Sequence, residues 1–108
     1  MPVKPLELHP GAEEDYLNSL AWYRDRNFST AERFEDAFWH AIHAVEDAPE
    51  RWPVYFSHFR RYTLHQFPFS LVYCVETSRS FVLAVAMAVA GLLDGRRVIL
   101  MHRDGQGL

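Results

Sequence analysis

Near Pro49 the hydrophobic period of this chain changes from that of a helix to that of a strand, and no other feature limits its fold as much. Upstream, Phe34, Phe38, Ala41, Ile42 and Val45 recur at intervals of three and four residues, the spacing that lines one face of a helix. Pro49 bars that helix from continuing, because proline lacks an N–H and its ring collides with the preceding turn. Downstream, after a loop containing Trp52, Pro53 and Tyr55, the side chains alternate: Tyr62, Leu64 and Gln66 fall opposite Arg61, Thr63 and His65. Helices first and sheet second is an α+β order.

The helical half reads as a hairpin. Ala12, Tyr16, Leu20 and Tyr23 predict a first helix over residues 12–26. Glu13, Glu14 and Asp15 sit in its first turn, where carboxylates meet unpaired amide donors, and Arg24 and Arg26 lie near its other end. Asn27, Phe28 and Ser29 form a short connection, and Ser29 with Glu32 fits a capping box at the start of the second helix. So short a connection folds the two helices antiparallel. Ahead of them, residues 3–9 alternate as a strand in which Pro5 suits an edge or a strand start, and Pro10-Gly11 reads as its end.

In the extended half, Pro68 falls in a connection, Ser70 to Glu76 predicts a strand, Thr77 to Ser80 a turn, and Phe81 to Met87 the next strand. Leu71, Tyr73 and Val75 oppose Val72 and Cys74, so both faces of the middle strand are apolar, as in a central strand covered on both sides. Asp94-Gly95 signals a further turn, Val98 to Met101 an edge strand, and residues 104–108 a frayed end. No repeat or linker interrupts the 108 residues, which predicts one domain with residues 89–108 as its tail.

Composition narrows the class. With 49% hydrophobic and 15% aromatic residues the chain can bury a core, which excludes a disordered polyelectrolyte. The single cysteine, Cys74, permits no internal disulfide and suits a reducing compartment, and the opening residues show no basic segment followed by an apolar run. Together they predict a cytoplasmic protein with no membrane partner, since the longest apolar run, Phe81 to Ala90, is half of the roughly 20 residues a spanning helix needs. The net charge of -3 hides an asymmetry: residues 1–50 carry -7 and residues 51–108 carry +4. Strong general nucleic-acid binding calls for a concentrated positive surface, which only the second half could offer.

The order of several short elements resembles the RelE/ParE superfamily of bacterial type II toxins, and most closely its ParE-like, plasmid-stabilisation branch. The resemblance spans most of residues 5–88. It is carried by Ala12 with Asp15-Tyr16, Trp22-Tyr23, Ala31-Glu32-Arg33-Phe34, Ala48-Pro49-Glu50, Pro53, Arg60-Arg61, and Phe67-Pro68-Phe69 leading into Leu71-Val72-Tyr73. It implies an N-terminal strand and an antiparallel two-helix hairpin packed on a three- or four-stranded antiparallel sheet. It also implies a cognate antitoxin that wraps the toxin, with operator DNA reached only through that antitoxin. ParE-like relatives are associated with poisoning DNA gyrase and RelE-like ones with cutting messenger RNA at the ribosome. The ending differs from the ParE pattern: Met87 stands where histidine is usual and Ala90 where arginine is usual, which leaves a non-toxic, antitoxin-binding homologue as a further alternative.

Arg60 and Arg61 are the leading candidates for function, as either guanidinium can hold a phosphate or a carboxylate in bidentate fashion. Neighbours in a strand point to opposite faces, so one of them serves any given surface. Trp39, off the inward stripe, and Trp52, Phe56 and Phe59, in or beside the loop before the basic strand, are candidate interface anchors. With an arginine they would border a groove for an acidic amphipathic antitoxin segment; the alternative is that they fill the seam between hairpin and sheet. A nuclease would need positioned acid–base and cationic groups, for which Arg60, Arg61, His65, His102 and Arg103 are the candidates. No cofactor motif is present. His40, His43 and Glu46 form a weak HxxHxxE line read as solvated helix rather than metal site, and Cys74 reads as a small core residue.

Overall fold

The computed structural model describes residues 4–87. The expectations for residues 89–108, including the edge strand at 98–101 and the roles of His102 and Arg103, lie outside the described residues.

Strand β1 (Leu6–Leu8) runs into helix α1 (Pro10–Arg26) through His9 alone. Pro10-Gly11, expected to close the strand with a turn, opens the helix instead: Pro10 takes the first helical position, where a missing N–H costs nothing. The His9 Nδ1 atom caps that end by accepting the Gly11 N–H at 2.9 Å.

Helix α2 (Phe28–Asp47) follows after a single non-helical residue, Asn27. Asn27 ends one helix and starts the other. Its N–H donates to the Tyr23 carbonyl at 2.7 Å, and its Oδ1 accepts from the Thr30 N–H at 3.0 Å. This displaces the expected Ser29–Glu32 capping box, because Ser29 already lies inside the helix and Asn27 is the residue with extended backbone, at φ -159°. The helices pack as the predicted antiparallel hairpin. Tyr16 stacks on Phe38 with ring centroids 3.9 Å apart, and Tyr23 meets Phe34 at 5.2 Å.

Strands β2 (Val54–Phe56), β3 (Phe59–Thr63), β4 (Phe69–Val75) and β5 (Ser80–Met87) complete one sheet in the order β1-β5-β4-β3-β2. Among the described residues the sheet has the expected N-terminal strand, β1, beside four antiparallel strands, β2 to β5. The segment around Tyr55, expected as loop, pairs with β3, and β1 joins β5 in parallel while every other pair is antiparallel. Three residues are too few to show a period in the sequence. β3 also stops three residues short of the predicted Gln66, whose φ of +65° lies in the left-handed region and turns the chain towards β4.

β4 is central, as expected, and both of its faces are buried. Leu71 and Tyr73 join the helices' Phe34, Phe38 and Val45 in the larger cluster, with Val82 and Val85 from β5. Val72 and Cys74 join Phe59, Leu83, Ala84 and Ala86 in a second cluster on the other face.

Candidate partner-binding site

The arginine pair divides between the two faces of the sheet, as strand geometry demands. Arg60 lies opposite Tyr73, a member of the helix-side cluster, and Arg61 opposite Val72, a member of the second. Their surroundings differ in kind.

Arg60 is committed to the main chain. Its Nη1 donates to the Trp52 carbonyl at 2.6 Å and to the Glu50 carbonyl at 3.1 Å, the chain segment that leaves α2. Tyr73 reaches the same segment from the core, its hydroxyl donating to the Pro49 carbonyl at 2.6 Å. Trp52 closes the corner. Its half-buried indole donates to the Ala44 carbonyl at 3.1 Å and packs edge-on against Tyr62 at 4.6 Å. The segment between α2 and β2 is therefore tied down by side chains from β3 and β4, which satisfies carbonyls that the end of α2 and its loop would otherwise leave open. Arg61, on the opposite face, lies with its guanidinium 4.5 Å from the centre of the Tyr55 ring, a cation–π arrangement.

The aromatic candidates separate in the same way. Phe59, expected as a surface anchor, is 1% exposed and belongs to the second cluster, so its ring is core. Phe56 and Trp39 are open to solvent, at 39% and 46% exposure. Trp39 belongs to the outer side of the hairpin, where its ring meets Tyr16 at 6.3 Å and Phe38 at 5.2 Å. The structure joins Trp52 to Arg60 and places Trp39 with α1.

The residues proposed for RNA cleavage are not assembled among the described residues. His65 is exposed in the turn between β3 and β4, and Arg60 and Arg61 serve opposite faces. Burial pushes the Tyr73 hydroxyl up to about 12, against the opposing effect of nearby Arg60, so it remains a protonated donor at neutral pH. Burial likewise raises the Cys74 thiol to about 11, with the Glu76 charge adding to the rise, and a thiol so buried is a packing group. Among the described residues no group of three or more His, Cys, Asp or Glu is placed to hold a metal ion, and no helix is long and apolar enough to cross a membrane.

Two placements escaped the sequence reading. Asp15, read as a first-turn carboxylate and as part of the resemblance but given no contact, accepts the main-chain N–H of Val85 at 3.1 Å and so ties α1 to β5. Tyr16, read as part of the inward stripe and of the resemblance but given no polar contact, donates its hydroxyl to Glu35 at 3.2 Å, next to the exposed Trp39. Both carry polar atoms on a buried helix face, which is the one signal that could have found them.

No protein-family model and no curated protein matches the chain. Among solved structures it is similar to a chain of the chromosomal ParDE TA system from P. aeruginosa, with a TM-score of 0.70 and 16% sequence identity. The likeness covers 79% of this chain and 96% of that one. At that identity it speaks for the architecture: two helices against a five-stranded, mostly antiparallel sheet, a ParE-like fold.

Proposed function

We propose that this protein is the toxin component of a type II toxin–antitoxin pair, neutralised by a cognate antitoxin, and that it acts by binding a protein target in the ParE manner, with DNA gyrase as that target. The observation that carries the reading is the fold shared with nearly the whole of a chain from a ParDE system. The arrangement of side chains supports binding over catalysis. Arg60 is spent on holding the loop after α2, while exposed aromatic side chains, Trp39 foremost, are available to a partner. Residues 1–108 act in this reading as one toxin domain in the cytoplasm, with the tail from residue 89 setting the strength of the toxic effect.

The test is inducible expression in a bacterial host with and without the adjacent small gene, scoring growth, DNA supercoiling and transcript integrity together. Growth arrest relieved by the neighbour, with altered supercoiling and intact transcripts, is the expected result. Cleaved transcripts would replace the mechanism with a RelE-like nuclease, and the absence of arrest from folded protein would leave a non-toxic antitoxin-binding homologue.

A further inference from the structure

We propose that the outward face of the α1–α2 hairpin, centred on Trp39, docks a cationic amphipathic segment of a partner protein. The inference rests on the toxin reading for the identity of that partner, the antitoxin, and it specifies the chemistry of the contact.

The face combines an exposed apolar centre with an acidic border. Trp39 is 46% exposed although its inner edge is fixed by Tyr16 and Phe38, so the indole is held in place rather than swinging in solvent. On α1, Leu17 follows Tyr16 and is 51% exposed. Tryptophan is among the residues enriched at the positions that carry most of an interface's binding energy.

The charges around it are mostly negative. Glu35 and Asp36 lie one helical turn before Trp39, and Glu32 and Glu46 two turns to either side. Glu13 and Glu14 lie one turn before Leu17, with Arg24 two turns after it. Among the described residues Glu13, Glu14, Glu32 and Asp36 take part in no ion pair. Glu46 meets only His43, at 3.7 Å, and Glu35 accepts a neutral hydroxyl from Tyr16. Carboxylates in excess over the one nearby guanidinium, Arg24, repel one another, and that repulsion is relieved when further lysine or arginine side chains approach.

This pattern selects among occupants. A nucleic acid or an anionic membrane surface would meet like charge, and so would a second copy of the same face. An acidic partner segment, which the sequence suggested for a groove lined by the arginine pair, is excluded from this face for the same reason. A helix or strand with an apolar stripe flanked by Lys and Arg would cover the indole and neutralise its border at once.

The experiment uses the full chain with Trp22→Phe, which removes the other strongly exposed indole, and follows tryptophan emission. Two synthetic peptides of about 18 residues, long enough to form a helix, share one leucine stripe and carry either lysine or glutamate on the polar face. The lysine peptide is expected to bind, to weaken at least tenfold between about 0.05 M and about 0.3 M salt, and to lose at least about tenfold with Trp39→Ala. The exposed double change Glu32→Lys with Asp36→Lys is expected to reverse the preference towards the glutamate peptide, with thermal melts confirming that the variants fold. Equal binding of the two peptides, no binding of the lysine peptide, or indifference to Trp39→Ala overturns the proposal. Trp39-dependent self-association in sedimentation overturns it in favour of a second copy. In the growth assay, rescue by the antitoxin that is unaffected by Trp39→Ala and by the double change overturns this inference while leaving the toxin reading standing.

Discussion

The Tyr73 hydroxyl, in the central strand, donates to the Pro49 carbonyl over 2.6 Å, so the segment just past the end of α2 is fastened from inside the core. Helix end and sheet centre are thereby one unit. Replacing Tyr73 by Phe keeps the ring and leaves the carbonyl without its donor. The expected loss is about 1–2 kcal/mol, read from chemical denaturation as a lower midpoint with an unchanged slope.

The same hydroxyl sets an alkaline limit. Its folded-state value of about 12 lies above its ordinary 10.0, and the Cys74 thiol at about 11 lies above its ordinary 9.0. Both groups are neutral below those ordinary values and their contribution is then fully present. As pH rises the unfolded chain ionises first, so stability falls from about pH 9 for the thiol and from pH 10 for the phenol, until the folded values are passed. Melting temperature should therefore decline across pH 9–12, and Tyr73→Phe should flatten the part above pH 10. A profile identical in the two proteins would dissociate Tyr73 from the effect.

Arg60 and Arg61 should separate under substitution. Arg60→Ala removes two charge-assisted hydrogen bonds to the loop after α2 and is expected to cost about 1–3 kcal/mol. Arg61→Ala removes a single partly exposed cation–π contact and is expected to cost about 0.5–1 kcal/mol. Thermal melts of the two variants give the comparison, and equal losses would contradict the assigned roles.

At the helix junction, Asn27→Ala should cost about 1 kcal/mol and Ser29→Ala much less. The capping contact belongs to the Asn27 carboxamide, which accepts from Thr30 at 3.0 Å. If Ser29→Ala proves the more damaging, the capping box foreseen from Ser29 and Glu32 is the true start of α2.

Phe56 and Phe59, three residues apart, are expected to differ most. Phe59 is 1% exposed and Phe59→Ala should cost about 3–5 kcal/mol. Phe56 is 39% exposed, and its truncation should change stability by less than about 1 kcal/mol. Denaturation midpoints decide the matter.

Local patterning accounts for what could be read in advance. The α2 stripe of Phe34, Phe38, Ala41, Ile42 and Val45 is buried as its spacing demanded, and Pro49 lies just past the end of the helix. The alternation of β4 foretold a strand buried on both faces. The candidate site was legible only in part. That Arg60 and Arg61 would face opposite ways follows from strand geometry, whereas Phe59 looked like a neighbour of Phe56 and proved to be core.

By itself the sequence determined the helical hairpin, the central strands and the separation of the two arginines, because each depends on contacts within one element or on a period of a few residues. Tertiary structure alone decided that β1 would pair in parallel with β5 and that Arg60 and Tyr73 would hold the loop after α2. Those outcomes join residues far apart in the chain. They depend on which donors, acceptors and surfaces remain unsatisfied once the elements have packed, and no local period encodes that remainder.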